Sequence, residues 1–76
     1  MSSMPHVVVK MFPGRTQEQK EELSEKITQA VMESIGAEER TISIAVEEIP
    51  REDWDRLVYQ PEIMGKAETL LKKPGY

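Results

Sequence analysis

The sequence predicts an α+β domain: a β-α-β unit with a C-terminal helical extension, whose sheet is completed by oligomerisation. Three observations predict it. Two β-rich segments flank one amphipathic helical stretch. A second apolar stripe at helical spacing follows Pro61. The chain has 76 residues and no cysteine, so its core is thin and no disulfide reinforces it. Self-association is then the expected support, because a two-stranded parallel sheet under one helix leaves a sheet face and strand edges open.

Each element has a local reason. His6 to Phe12 is rich in β-branched and apolar residues and reads as a buried or half-buried strand, stopped by Pro13-Gly14. Thr16 opens a helix, and Gln19 three residues later completes a Thr-x-x-Gln capping box. Leu23, Ile27, Ala30, Val31, Ser34 and Ile35 form its inward stripe, and Gly36 sits where a left-handed cap is expected. Thr41 to Ile49 alternates, with Ile42, Ile44 and Val46 on one face and Thr41, Ser43, Ala45 and Glu47 on the other. The helix length suits a right-handed parallel crossover. Pro50 ends the second strand. Arg51 to Tyr59 reads as a turn or short helical segment carrying Trp54, and Pro61 as the first residue of a second helix with Ile63, Met64, Ala67, Leu70 and Leu71 on its apolar face.

Composition excludes several functions. Fourteen acidic against ten basic residues give a net charge of −4, a poor match to nucleic acid. Four aromatic residues (one Phe, two Tyr, one Trp) are too few for base-stacking platforms. The longest apolar run is Val7-Val8-Val9, so no membrane span is expected; no signal peptide is visible, and the cytoplasm is the default location. One histidine and no cysteine argue against a metal centre, and no cofactor-binding motif is present. Glu47 and Glu48 are adjacent and so lie on opposite strand faces, which argues against a cooperating acid/base pair. His6 is expected to be a strand residue without a catalytic task.

The remaining oddity is a proline almost at the start, followed at once by a strand. Met1 to Met4 is expected to be a leader, an upstream mis-start or cloning remnant, ahead of a single domain over 5–76. A chain started at Met4 and trimmed of it would expose Pro5 as a secondary amine. A chain-terminal amine has an ordinary pKa of about 8, which burial or a nearby cation lowers towards the working pH, as proton abstraction beside a carbonyl requires. With the leader attached the same nitrogen is an amide and has no lone pair to offer, so that form is expected to be inactive.

From Pro5 onwards the chain resembles the 4-oxalocrotonate tautomerase family. The landmarks are Pro5-His6, Phe12-Pro13-Gly14-Arg15, Glu18-Gln19-Lys20, Ser43-Ile44-Ala45-Val46-Glu47-Glu48 and Asp53-Trp54, in order and without a needed gap. The ending Leu71-Lys72-Lys73-Pro74-Gly75-Tyr76 is similar to that of the longer bacterial members, which form dimers; the shortest members form hexamers, the alternative here. The resemblance implies a cofactor-free isomerase that interconverts enol and keto forms of a small anionic 2-oxo or 2-hydroxy-enoic acid. It implies Pro5 as general base, Arg15 as the carboxylate contact that also helps keep the amine neutral, and Trp54 as an aromatic pocket wall. By residue type alone Arg15 is an ordinary solvated arginine and Trp54 a packing or oligomer contact. The second arginine of the best-known members falls on Ser43, which offers only a neutral hydrogen bond. Arg40, three residues away, is expected on the opposite strand face. A missing charged donor costs about 3–4 kcal/mol, so a slower enzyme or a different substrate is expected. One cation suits one carboxylate, hence an aryl enolpyruvate in preference to a dicarboxylate. Two alternatives are a hydratase or decarboxylase using the same proline as a general acid, and a non-catalytic oligomeric module that kept the scaffold and lost the site.

Overall fold

A computed structural model describes residues 3–76; Met1 and Ser2 of the expected leader lie outside the described residues. Strand β1 spans His6–Met11, helix α1 spans Gln17–Ile35 and strand β2 spans Ser43–Glu48. The strands pair in parallel, in register from His6↔Ser43 to Met11↔Glu48. Among the described residues they form a two-stranded sheet, so the β-α-β unit is as expected.

The helix begins where its cap chemistry says. Gln19 N–H donates to Thr16 Oγ1 at 3.1 Å, and Thr16 N–H donates to Gln19 Oε1 at 2.9 Å. This reciprocal pair satisfies two donors at the helix start. At the other end Gly36 turns into the left-handed region, φ 69°, and its N–H bonds Met32 O at 3.0 Å. A side chain is disfavoured in that conformation, which is why glycine ends the helix. Helix α1 lies over the sheet face that carries Ile44 and Val46, since Val46 shares a cleft with Gln17, Lys20 and Ser24. Lys20 Nζ also meets Glu48 Oε1 at 3.5 Å.

The inward face of α1 differs from the expected stripe. Leu23, Ile27 and Val31 are half-buried as expected, but Ala30, Ser34 and Ile35 are exposed, and Ser24, Thr28 and Met32 take their place. The helix makes contact along its i, i+4 rows beside Leu23 and Ile27, so the rotation favours 24, 28 and 32 over 30 and 34. Thr28 reconciles its hydroxyl with this position by donating to Ser24 O at 2.9 Å.

The second strand is shorter than the alternation suggests. Glu39–Thr41 forms a tight 3-10 turn, with Thr41 buried and its hydroxyl donating to Glu38 O at 2.7 Å. Arg40 therefore lies in this turn, outside the strand, and its Nε donates to Glu38 Oε2 at 2.8 Å.

The C-terminal extension is helical but starts earlier and winds wider than expected. A 3-10 turn covers Arg51–Asp53, a π-helical segment covers Asp55–Met64, and a 3-10 turn covers Ala67–Thr69. Pro61 lies inside the wide segment and does not open it. Proline has no N–H and its ring collides with the carbonyl four residues back in an α-helix. Bonding five residues back relieves that collision, as in Gly65 N–H to Gln60 O at 2.8 Å. The segment is tied to the sheet by the ion pair of Lys10 with Glu62.

The core is sparse. Ala37, Val58 and Thr41 are the buried residues among those described, and no large side chain is wholly enclosed. Val8, on the sheet face that α1 leaves open, is 42% exposed, and Ile35 is 59% exposed. No described helix is long and apolar enough to cross a membrane.

Candidate functional site

Parallel pairing sends both chains out of the same end of the sheet. β1 ends at Met11 and β2 at its partner Glu48, and Ile49 N–H closes the pair on Met11 O at 2.8 Å. The loops that follow therefore share the carboxyl end, where open α/β sheets commonly bind ligands. Phe12 and Trp54 meet there edge-to-face, ring centroids 5.1 Å apart. Arg51 lies over the Phe12 ring, its guanidinium carbon 4.5 Å from the ring centroid, a cation–π contact. Two cavities flank this arrangement. One, of about 450 Å³, is lined by Lys10, Met11, Phe12, Trp54 and Tyr76 and is largely apolar. The other, of about 370 Å³, is lined by Met11, Phe12, Pro13, Gly14, Arg15 and Arg51. Tyr76 is held at the first cavity by its ring contact with Tyr59, 5.7 Å between centroids.

The amino end of the sheet holds a different set. Ser43 N–H donates to Pro5 O at 3.2 Å, extending the ladder by one step. Ser43 Oγ lies 2.6 Å from His6 Nδ1, across the register pair. Pro5 is half-buried, whereas His6 and Ser43 are exposed.

The four residues singled out in the sequence thus fall into two pairs. Pro5 and Ser43 adjoin at the amino end; Arg15 and Trp54 lie with Phe12 at the carboxyl end. Six strand residues at about 3.3 Å each separate the two ends by about 20 Å. A small acid does not bridge that length within one protomer. Three neighbours escaped the sequence reading: Arg51 and Tyr76 at the carboxyl end, and His6 as Ser43's partner. By position Arg51 stands three residues past the end of β2, much as Arg15 stands four past the end of β1.

Lys10 is the one described group with a clear electrostatic displacement. Its hydrogen bond to the Glu62 carboxylate raises its pKa above the ordinary 10.5, against an opposing desolvation effect and with help from Glu47. The pair fixes the wall of the apolar cavity. Among the described residues no group of His, Asp and Glu has the arrangement of a metal site.

Comparison with known proteins places this geometry. The family model described as "Tautomerase enzyme" matches residues 5–58, beginning at Pro5 and including Arg15, Ser43, Arg51 and Trp54. A probable tautomerase of Xylella fastidiosa is 42% identical over 73 residues, covering 96% of this chain and 89% of the relative. Tautomerase PptA of Escherichia coli strain SMS-3-5 is 39% identical over 74 residues, covering 96% and 97%. The crystal structure of YwhB, a homologue of 4-oxalocrotonate tautomerase, superposes with a TM-score of 0.61 at 51% identity, covering 62% of this chain and 77% of that one. The chain belongs to the tautomerase family, a family of isomerases.

Proposed function

We propose that the protein is a cofactor-free keto–enol tautomerase of small 2-oxo and 2-hydroxy-enoic acids, with an aryl enolpyruvate as the preferred substrate. The active form begins at Pro5, so that its nitrogen is a secondary amine. That amine takes the proton of the enol hydroxyl. The O–H electron pair becomes the carbonyl π bond, the C=C pair collects the proton at carbon from the prolinium, and the amine is regenerated. Arg15 holds the carboxylate, and Ser43 offers a neutral hydrogen bond to the oxygen. The apolar cavity of Trp54, Phe12, Met11 and Tyr76 receives the aryl ring and keeps water from the charges.

The observation that carries this reading is the division of the site between the two ends of β1. The outer edge of β1 has no strand partner among the described residues. Antiparallel pairing of two such edges about a two-fold axis gives a sheet in the order β2-β1-β1-β2. It brings Pro5 and Ser43 of one protomer to Arg15 and Trp54 of its partner. Pairing through β2 would leave them apart. The exposed Val8 and the sparse core are further reasons for a dimer.

The test compares three proteins on phenylenolpyruvate: the chain starting at Pro5, the chain with its leader intact, and Pro5→Ala. We expect turnover from the first, at least about a hundredfold less from the second, and an intermediate rate from Pro5→Ala, whose terminal nitrogen stays a primary amine. Leader-bearing protein, verified by mass, that works at the same rate refutes the amine mechanism. A rate that rises with pH to a plateau fits a base; one that falls as the amine deprotonates points instead to a general-acid hydratase or decarboxylase. A clear preference for a dicarboxylate counts against the aryl assignment.

A further inference from the structure

Arg51 has no part in the roles derived so far, yet its setting is that of a ligand contact. It shares the 370 Å³ cavity with Arg15, and no carboxylate lines that cavity. Arg40 and Arg56, by contrast, are engaged by Glu38 and Asp53. Among the described residues neither Arg15 nor Arg51 has an ion-pair partner, although acidic residues outnumber basic ones in this chain. The Phe12 ring supports the Arg51 guanidinium, whose carbon lies 4.5 Å from the centroid, and Arg51 also lines the cavity. Two arginines thus line one cavity, and neither side chain has an ion-pair or hydrogen-bond partner among the described residues. Both cavities share Met11 and Phe12 in their walls, so the cationic space opens beside the apolar one.

We infer that Arg51 is a substrate-binding residue that shares a single carboxylate with Arg15, while the remainder of an aryl-bearing 2-oxo acid lies against Phe12 and Trp54. The inference rests on the proposed substrate class, not on the proline chemistry. One carboxylate oxygen is bound by each guanidinium, and planar forks suit planar acceptors. The arrangement restores to the site a second positive charge, on a different element from Ser43 and directed at the carboxylate instead of the carbonyl oxygen. It therefore tightens binding without replacing the donor that would steady an enolate.

The test is equilibrium binding by calorimetry to the full chain, leader included, since binding does not need a free amine. The probes are phenylpyruvate and phenylacetone, the same ring and carbonyl without the carboxylate. Arg51→Ala is expected to weaken phenylpyruvate about tenfold and to leave phenylacetone unchanged. Arg51→Lys, which keeps the charge but loses the fork, is expected to weaken it about threefold. Arg15→Ala and Arg51→Ala together should bring phenylpyruvate down to the affinity of phenylacetone. An unchanged helical circular-dichroism signal shows that each variant folds. The inference is overturned by Arg51→Ala binding phenylpyruvate within twofold of the parent, by equal losses for both probes, or by a parent chain that does not bind phenylpyruvate at millimolar concentration. An Arg51-dependent affinity in a protein whose Pro5-initiated form turns over no enol refutes the tautomerase reading and leaves this one standing.

Discussion

A site divided across a two-fold axis predicts complementation between two dead variants. A chain that keeps its leader has an amide nitrogen at Pro5 and so lacks the base at one end of β1, and Arg15→Ala removes the carboxylate contact from the other. Each homodimer then has two defective sites. In a mixed dimer, one site combines both defects. The other combines the free Pro5 amine of the Arg15→Ala chain with the intact Arg15 of the leader-bearing chain. Random mixing makes about half the dimers mixed, each with one sound site of two, so about a quarter of parental activity per protomer should return. The separation of about 20 Å between the ends of β1 makes this outcome mandatory for the proposed pairing, because no substrate of this size contacts both residues of one chain. The assay is to unfold the leader-bearing chain and the Pro5-initiated Arg15→Ala variant together, refold them, and follow phenylenolpyruvate by its enol absorbance. Separately refolded variants, mixed and measured at once, are the control. Recovery no greater than in that control, with mixed dimers verified by native mass spectrometry, refutes the shared site.

Three further outcomes follow from the fold. Gly65→Ala places a Cβ 2.6 Å from Pro61 O and 2.9 Å from Gln60 O, both backbone atoms that cannot swing aside, so it should cost about 1–3 kcal/mol in urea unfolding. A loss below half a kcal/mol would mean that the wide segment re-forms around the methyl group. Thr16→Ala removes the side-chain half of the capping box and should cost about 1 kcal/mol by the same measurement, with Gln19→Ala removing the reciprocal half. The Lys10–Glu62 pair gives the third. The lysine's folded pKa lies above 10.5, so its stabilising contribution is fully present below that value and is lost as pH rises through the folded pKa. Lys10→Met should therefore show less loss of stability than the parent between pH 10 and 12, measured by thermal unfolding.

Much of this architecture is legible in the residues. Thr16 with Gln19, and Gly36, state the ends of α1 by local chemistry, which operates whatever the chain packs against. The alternation around Ile44 and Val46 sets the strand faces for the same reason. The C-terminal extension was read less well because Pro61 carries two messages. It is a good opening residue for an α-helix, but a wider helix also tolerates it in its interior, and the choice depends on the neighbouring carbonyls. The placement of Ala30, Ser34 and Ile35 failed because helical spacing defines a stripe and the sheet decides which side of it is pressed. For the site, Pro5, Arg15, Ser43 and Trp54 were named from the family likeness, but their division between two ends emerges only when the register His6↔Ser43 is known. Arg51 was missed because a charged residue in a turn is usually solvated; its distinction is the Phe12 ring beneath it, a contact no spacing rule reveals.

The stack of Arg51 on Phe12 and Phe12 against Trp54 has a practical consequence. Trp54 is the only indole in the chain, and it stands one ring away from the guanidinium that the carboxylate would engage. Its emission colour and intensity should thus respond to occupancy, giving the protein an intrinsic optical probe that needs neither a label nor catalytic turnover.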